Sequence, residues 1–468
     1  MDLFEEWSQS ATETVHINLT RNGNFLYNDA FHPTFTHTVL GEEEVIIGYK
    51  DLKINLSFRA HDLKPSVKIK YGQKMQPLNE DMAQMMDVEA KLRKFLPEAA
   101  FDKSSPEADN TSTTWKPPGT LHHTYTTSSG KTFQIYQSPL TNPATLAMMK
   151  NILILIPFFI ESGTTGLLDE PDWSLERWNV FFLYEVDKNE NYTLAGLSTS
   201  YRAWVFPTLP GYSAPPEYTS DQSYKNLRES PFSIFHLASR ERISQFIILP
   251  PYQSSSGHGS HLYNAMTSKF RADKWVFEIT VEEPNEEFDA LRDYCDMAYL
   301  TSLPCLPDCK TSFAEMSIPD RIGIENFNDT SPVPTDLIVN TEDATRIRTF
   351  AKIAPRQFNR LVEIHLLSTI PRPNRSTSRI TRKYSSADAN DRRYYFWRLL
   401  VKERIFMKNR DQLLQIDEGE RVQKVEDALL SVQEERMVLR VVRGGIKGRL
   451  LTMKMMRVEK RVVSPSRG

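Results

Sequence analysis

Residues 240–263 constrain the fold of this chain more than any other stretch. An apolar run, Ile243 to Leu249, is stopped by Pro250 and Pro251 and passes through a Ser/Gly turn. It restarts with Leu262, Met266 and Phe270 at helical spacing, so the segment predicts strand, loop, helix. Gly257 and Gly259 can take backbone angles closed to other residues and let main-chain N–H groups approach a ligand closely. The helix that follows adds its positive end, and successive amides from Ser255 to Ser260 could cradle an anion such as a pyrophosphate. A Gly-x-Gly after a strand also serves as an ordinary tight turn, and the motif alone does not decide between the two.

The 468-residue length suits two or three domains. Hydrophobic residues at 40% and charged residues at 25% are ordinary for a globular protein. The net charge of −3 argues against a bulk nucleic-acid binder. Cys295, Cys305 and Cys309 form no paired metal spacing, so no metal is expected, and an odd cysteine count suits a reducing compartment. The first residues, Met-Asp-Leu-Phe-Glu-Glu-Trp, lack the basic and apolar regions of a secretory signal. The strongest apolar stretch, Ile152 to Ile160, contains Pro157 and falls short of the ~20 residues a bilayer span needs. It is expected to be core.

Residues 1 to about 100 mix strand-like runs, Val45 to Tyr49 and Lys53 to Phe58, with a helix-like stretch from Asn79 to Phe95, which predicts a small α+β domain. Glu42, Glu43 and Glu44 read either as a solvated acidic turn or as a site for a basic peptide. From Asp102 to Lys131 the Ser/Thr/Pro/Asp-rich composition predicts a linker. Asn142 to Lys150 reads as helix, and Trp178–Val186 and Thr193–Trp204 read as strands joined by a turn at Asp187 to Asn191. Pro207 to Pro231 reads as an irregular insertion.

Trp275 to Val281 predicts a further strand that ends in Glu282, Glu283 and Pro284. A carboxylate pair at a strand end, before a proline that blocks further pairing, suits the mouth of a sheet and marks Glu282 as a general-base candidate. Beyond Arg292 the pattern is helical, with Phe358, Leu361, Val362 and Leu366 on one face and Tyr394, Trp397, Val401 and Ile405 on another. The segment from Arg440 to Gly468 is strongly basic and reads as a solvated tail.

Taken together, Arg242-Ile243-Ser244-Gln245-Phe246, Leu249-Pro250-Pro251-Tyr252-Gln253, Gly257-His258-Gly259 and Val281-Glu282-Glu283-Pro284 go well beyond a glycine motif. They closely resemble the catalytic subunits of type B histone acetyltransferases, in the GNAT superfamily of N-acetyltransferases. Gly48-Tyr49-Lys50-Asp51-Leu52, Phe159-Ile160-Glu161-Ser162-Gly163-Thr164, Glu176-Arg177-Trp178 and Leu291-Arg292-Asp293-Tyr294 extend the likeness over most of the chain.

The resemblance implies an α+β chain with a GNAT acetyltransferase fold, a central mixed sheet flanked by helices. It implies a histone-binding α+β domain at 1–120, a catalytic domain at 121–295, a helical domain at 296–430 and a basic tail at 431–468. Acetyl-CoA would lie along Phe246, Ile247 and Ile248, with Gln253, Ser254, Ser255, Ser256, Gly257, His258, Gly259 and Ser260 around its pyrophosphate and Asn285 and Phe288 beside it. Three serines separate Gln253 from Gly257, one residue more than the superfamily's loop carries. The pair Glu282-Glu283 stands where this family usually has Glu-Asp.

Glu282 would be the base, with Glu161 and Glu283 as supporting carboxylates. Glu42, Glu43 and Glu44, together with Tyr201, Arg202 and Ala203, would grip the tail of histone H4, presented with histone H3. A WD-repeat β-propeller histone chaperone is the implied partner, in cytoplasm and nucleus, with no membrane and no sequence-specific nucleic-acid binding. The rival readings are a non-catalytic acetyl-CoA-binding histone-chaperone subunit and a GNAT enzyme for small amines.

Overall fold

A computed structural model describes residues 6–102, 115–204, 238–253, 257–322 and 332–444, with side chains as far as 434 in the last segment. The expected insertion at 207–231, residues Ser254 to Ser256 and the tail beyond 444 lie outside the described residues. The chain divides into two compact units, Met1–Glu283 and Pro284–Gly468.

The first unit is built on a six-stranded sheet. Its strands are β1 (Thr120–Thr126), β2 (Thr132–Pro139), β3 (Trp178–Val186), β4 (Tyr192–Trp204), β5 (Ser239–Ile248) and β6 (Val276–Val281), in the spatial order β6-β5-β4-β3-β2-β1. Every pair is antiparallel except β5 with β6, which is parallel. Val180 to Tyr184 of β3 are fully buried, as an apolar run covered on both faces must be. Successive residues of a strand face opposite ways. On one face Phe181 meets Phe270 of helix α2 (His258–Ala272), and on the other Tyr184 meets Met148 of helix α1 (Pro143–Ile152).

A four-stranded sheet precedes the central one, in the order Asn24–Phe25, Val15–Arg21, Lys53–Arg59, Pro65–Lys70, with its middle pair parallel. It is tied to β4 through the Leu194 amide, which donates to the Ala60 carbonyl at 2.9 Å, and through Arg21, which donates to the Tyr192 carbonyl and the Thr193 hydroxyl at 3.0 and 2.6 Å.

Three sequence expectations are corrected. The linker read over 102–131 is too long, because β1 begins at Thr120. Only Tyr125 of its seven side chains is buried, so this edge strand carries too few apolar residues to signal itself. The strand Val45 to Tyr49 is broken at Gly48, whose φ of +93° and close approach to the Met86 side chain leave no room for a Cβ. The helix from Asn79 to Phe95 is two helices, Glu80–Met86 and Val88–Arg93, because Asp87 leaves helical geometry and caps the second through the Ala90 amide at 2.9 Å.

The second unit is helical. Tyr394, Trp397, Val401 and Ile405 of helix Ala389–Lys408 and Phe358, Leu361, Val362 and Leu366 of helix Pro355–Thr369 are all buried in one core, each worth roughly 1.5–3 kcal/mol. The Trp397 indole also donates to the Glu363 carbonyl at 2.9 Å. Asp293 of helix Glu286–Ser302 accepts from Arg360 and Gln357 at 2.7 and 3.0 Å and so fixes that helix to Pro355–Thr369. Among the described residues no helix is long and apolar enough to cross a membrane.

Candidate active site

The parallel ladder between β5 and β6 runs from Ser239–Val276 to Ile243–Val281 and stops there, although β5 continues to Ile248. The strands therefore fork after Ile243. Just beyond the fork sits an irregularity on the β4 side: Ser200 faces Ile243 and Ser198 faces Phe246, so Thr199 alone opposes Ser244 and Gln245. This is a β-bulge, which bends a strand and re-aims its side chains. Side-chain hydroxyls complete the hydrogen bonding, since the Gln245 amide donates to Thr199 Oγ1 at 3.1 Å and its carbonyl accepts from Ser198 Oγ at 2.7 Å.

Glu282 stands at the fork. Its amide donates to the Ile243 carbonyl at 2.9 Å, its Oε2 accepts a hydrogen bond from Ser244 Oγ, and the same oxygen lies 3.5 Å from Arg242 Nε. The side chain is 41% exposed, so it is held from one side and open to solvent. Glu283, next in the chain, is exposed with φ at +36°, a left-handed conformation that turns the backbone sharply at the strand end. Glu161 is exposed at the head of a turn whose Thr164 carbonyl accepts from Gln245 Nε2 at 3.1 Å. The turn bearing Glu161 is thus fastened to the bulged part of β5.

The cofactor segment follows the fork. Gln253 Nε2 donates to the Ile248 carbonyl at 2.7 Å, folding the chain back on the end of β5 after the turn Pro250–Tyr252. The Tyr252 hydroxyl donates to Glu185 of β3 at 2.8 Å, and Lys131 pairs with the same carboxylate at 2.8 Å. On the far side of the loop, Gly257 takes φ +74° as the N-cap of α2, and among the described residues beyond its chain neighbours a Cβ there would meet only His261, at 4.0 Å. His258, at the first position of α2, is buried among Tyr125, Phe133 and Tyr252, with its Nδ1 2.7 Å from the Tyr125 hydroxyl. Burial pushes its imidazole down to about 4. His261 stacks on Tyr125 with ring centres 3.7 Å apart.

Both ends of the expected pyrophosphate loop are therefore anchored, and one is a helix N-terminus, which fits an anionic group. Ser254, Ser255 and Ser256 fall outside the described residues, while Gly259 and Ser260 lie in the first turn of α2. Phe246, Ile247 and Ile248 form the part of β5 beyond the ladder with β6. Asn285 and Phe288 belong to the second unit, where the Asn285 side chain caps helix Glu286–Ser302 by accepting from the Phe288 amide at 2.9 Å.

The expected peptide-gripping residues divide by environment. Glu42 and Glu43 are exposed. Glu44 turns inward and accepts from the Thr36 and His37 amides at 2.6 and 3.2 Å. Those bonds, the Thr36 amide first, hold its carboxyl below the usual range. Tyr201 is half-buried, with its hydroxyl accepting from Arg177 at 3.1 Å, its ring 5.0 Å from Trp178 and the Arg242 guanidinium 5.5 Å from its centre. Arg242 thus lies against both Tyr201 and Glu282. Arg202 is buried and pairs with Glu241 at 2.7 Å and Asp273 at 2.6 Å, a structural commitment. Ala203 is half-buried opposite Arg240.

Sequence reasoning missed Ser244, Thr199, Tyr125 and the stack in which Arg177 lies 3.4 Å from the Trp204 ring centre and 5.1 Å from that of Trp173. The signal for Ser244 was available in principle. Once β5 and β6 are paired in parallel, the step after Ile243–Val281 is Ser244–Glu282.

Residues 7–161 match the family model described as Histone acetyl transferase HAT1 N-terminus. The chain is 35% identical over 454 residues to the histone acetyltransferase type B catalytic subunit of Aspergillus oryzae, covering 92% of this chain and 84% of that one. It is 36% identical to the Aspergillus fumigatus protein of the same description, covering 93% and 77%. The Yarrowia lipolytica protein of that description is 31% identical, with 96% of each chain covered. With its strand fork, carboxylate and anchored glycine loop carried on a sequence this close to those proteins, the chain belongs to the family of type B histone acetyltransferase catalytic subunits.

Proposed function

We propose that this protein is a GNAT-type histone acetyltransferase that transfers acetyl from acetyl-CoA to lysine side chains of the N-terminal tail of newly made, free histone H4, with Glu282 as the general base. The observation that carries the reading is the position of Glu282 at the point where β5 and β6 part, held by Ser244 and open to solvent, in a chain of this family. Acetyl-CoA supplies the acetyl group as a reactive thioester.

The chain's residues have two tasks. Phe246 to Ile248, Gln253 and the loop to Ser260 bind the cosubstrate, with Gly257 and the first amides of α2 toward its phosphates. Glu282 prepares the nucleophile. A lysine ammonium cannot attack, and with a pKa near ~10.4 only about one in 2,500 is neutral at pH 7. The Glu282 carboxylate takes that proton directly or through one water, and the freed amine attacks the thioester carbonyl carbon, so that the new N–C bond replaces the C–S bond and the CoA thiolate leaves. Glu161 and Glu283 add negative potential that attracts the cationic side chain. A cysteine route finds no support, because Cys295 is buried within a helix of the second unit.

Glu42 and Glu43 are exposed carboxylates suited to a basic tail, and Tyr201 lies next to Arg242 at the fork. Histone H3 beside H4, a WD-repeat chaperone subunit, and action in cytoplasm and nucleus belong to the same reading. The test is acetyl transfer from labelled acetyl-CoA to an H4 tail peptide, read by mass spectrometry. Turnover dependent on the peptide lysines is expected, whereas acetyl-CoA binding without transfer would point to a non-catalytic subunit.

A further inference from the structure

Resting on the reading of Glu282 as base, we infer that Ser244 is a positioning residue that sets the orientation of the Glu282 carboxylate. The cross-strand pairs on this face of β5 and β6 are Arg240 with Glu278 and Arg242 with Thr280. One step further, past the last ladder pair, Ser244 donates its hydroxyl hydrogen to Glu282 Oε2. Two other interactions fix the backbones that carry this bond. The Glu282 amide is held by the Ile243 carbonyl, and Gln245, directly after Ser244, is held by Thr199 and Ser198 through the bulge.

The bulge therefore has a chemical consequence. It pins β5 at the residue beyond the fork and aims the Ser244 hydroxyl at the carboxylate instead of leaving the strand end to move. Arg242 lies 3.5 Å from the same oxygen, but its Nε makes no hydrogen bond there. It supplies charge, while Ser244 supplies direction. Both contacts fall on Oε2, so Oε1 is the oxygen presented for the proton. A glutamate side chain 41% exposed would otherwise sample several rotamers, and a misplaced base loses rate steeply.

The test uses the full chain with an H4 tail peptide and acetyl-CoA. Ser244→Ala should lower kcat on the order of tenfold, the scale of one hydrogen bond to a charged group, with the acetyl-CoA KM unchanged within about twofold. Ser244→Thr and Ser244→Val are near-isosteres that differ in the hydroxyl, so Thr should recover most of the rate and Val should not. Melting curves identify any variant that fails to fold, and the Thr/Val comparison then still decides. In single-turnover measurements at high pH, Ser244→Ala should cost nothing further in a Glu282→Gln background. An equal loss in both backgrounds, equal rates for Thr and Val, or a rise in acetyl-CoA KM alone would overturn the role of Ser244. Near-normal turnover of Glu282→Gln by itself would overturn the base, a separate outcome.

Discussion

Replacing Arg202 by Met separates a peptide-contacting role for this residue from a structural one. Arg202 donates to Glu241 at 2.7 Å, and the two side chains are 8% and 2% exposed. Burial raises the Glu241 carboxyl above its ordinary range, with Arg202 the main opposing influence. Removing one partner of such a pair leaves an uncompensated buried charge, at a cost of about 3–5 kcal/mol. Asp273, the other partner, is 29% exposed and keeps access to water, so it adds little. A loss of about 3 kcal/mol, with a urea m-value of ~3 kcal/mol/M, moves the unfolding midpoint of the first unit down by ~1 M. Adding Glu241→Gln should recover part of this, since a buried amide costs less than an unpaired carboxylate. Urea unfolding by fluorescence gives the stability, and steady-state kinetics gives the H4-peptide KM. A loss under about 1 kcal/mol together with a clearly raised peptide KM would refute the structural assignment and put Arg202 in the peptide groove.

The acidic turn should divide in the same way: Glu42→Lys with Glu43→Lys should raise the peptide KM and leave acetyl-CoA binding alone, whereas Glu44→Ala should cost about 1 kcal/mol of stability with the peptide KM unchanged. The reverse pattern in kinetics and melting would contradict the observed hydrogen bonding. His258, with its imidazole lowered to about 4 from an unfolded value near ~6.5, contributes stability that is full above ~6.5. That contribution is lost as pH falls toward about 4, at up to ~1.4 kcal/mol per unit. His258→Gln should flatten the stability profile between about pH 6.5 and 5, and parallel profiles for the two proteins would sink the explanation.

Much of the central sheet is legible in the sequence because its inner strands are strongly apolar. Trp178–Val186 is predicted with its observed bounds, and the strand ending at Val281 is one residue longer in prediction than in the structure. Trp178–Val186 announces itself because it is an inner strand buried along most of its length, and Val276–Val281, although at one edge of the sheet, still buries Val276 and Ile279. The edge strand Thr120–Thr126 does not announce itself, because a strand with one covered face and one neighbour needs few apolar residues. Glu282 could be singled out because a carboxylate at a strand end before proline is a local pattern. Its partner Ser244 could not, because the contact depends on a parallel register between segments 38 residues apart. Burial likewise separates Arg202 from Tyr201, its neighbour in sequence, and no local pattern carries that information. Alternation along β4 sends Arg202 to Glu241 and Asp273 and leaves Tyr201 beside Arg242.

Glu282→Gln tests the central claim most directly, by acetyl transfer to the H4 tail peptide between pH 7 and 10 with acetyl-CoA saturating. The isosteric amide keeps the side-chain shape and can still accept from Ser244, but it cannot take a proton. The account predicts a fall in kcat of about 10²–10⁴ at pH 7, shrinking as pH rises, because the neutral fraction of lysine grows about tenfold per unit below ~10.4. Turnover within a few-fold of the unaltered protein at pH 7 would contradict it.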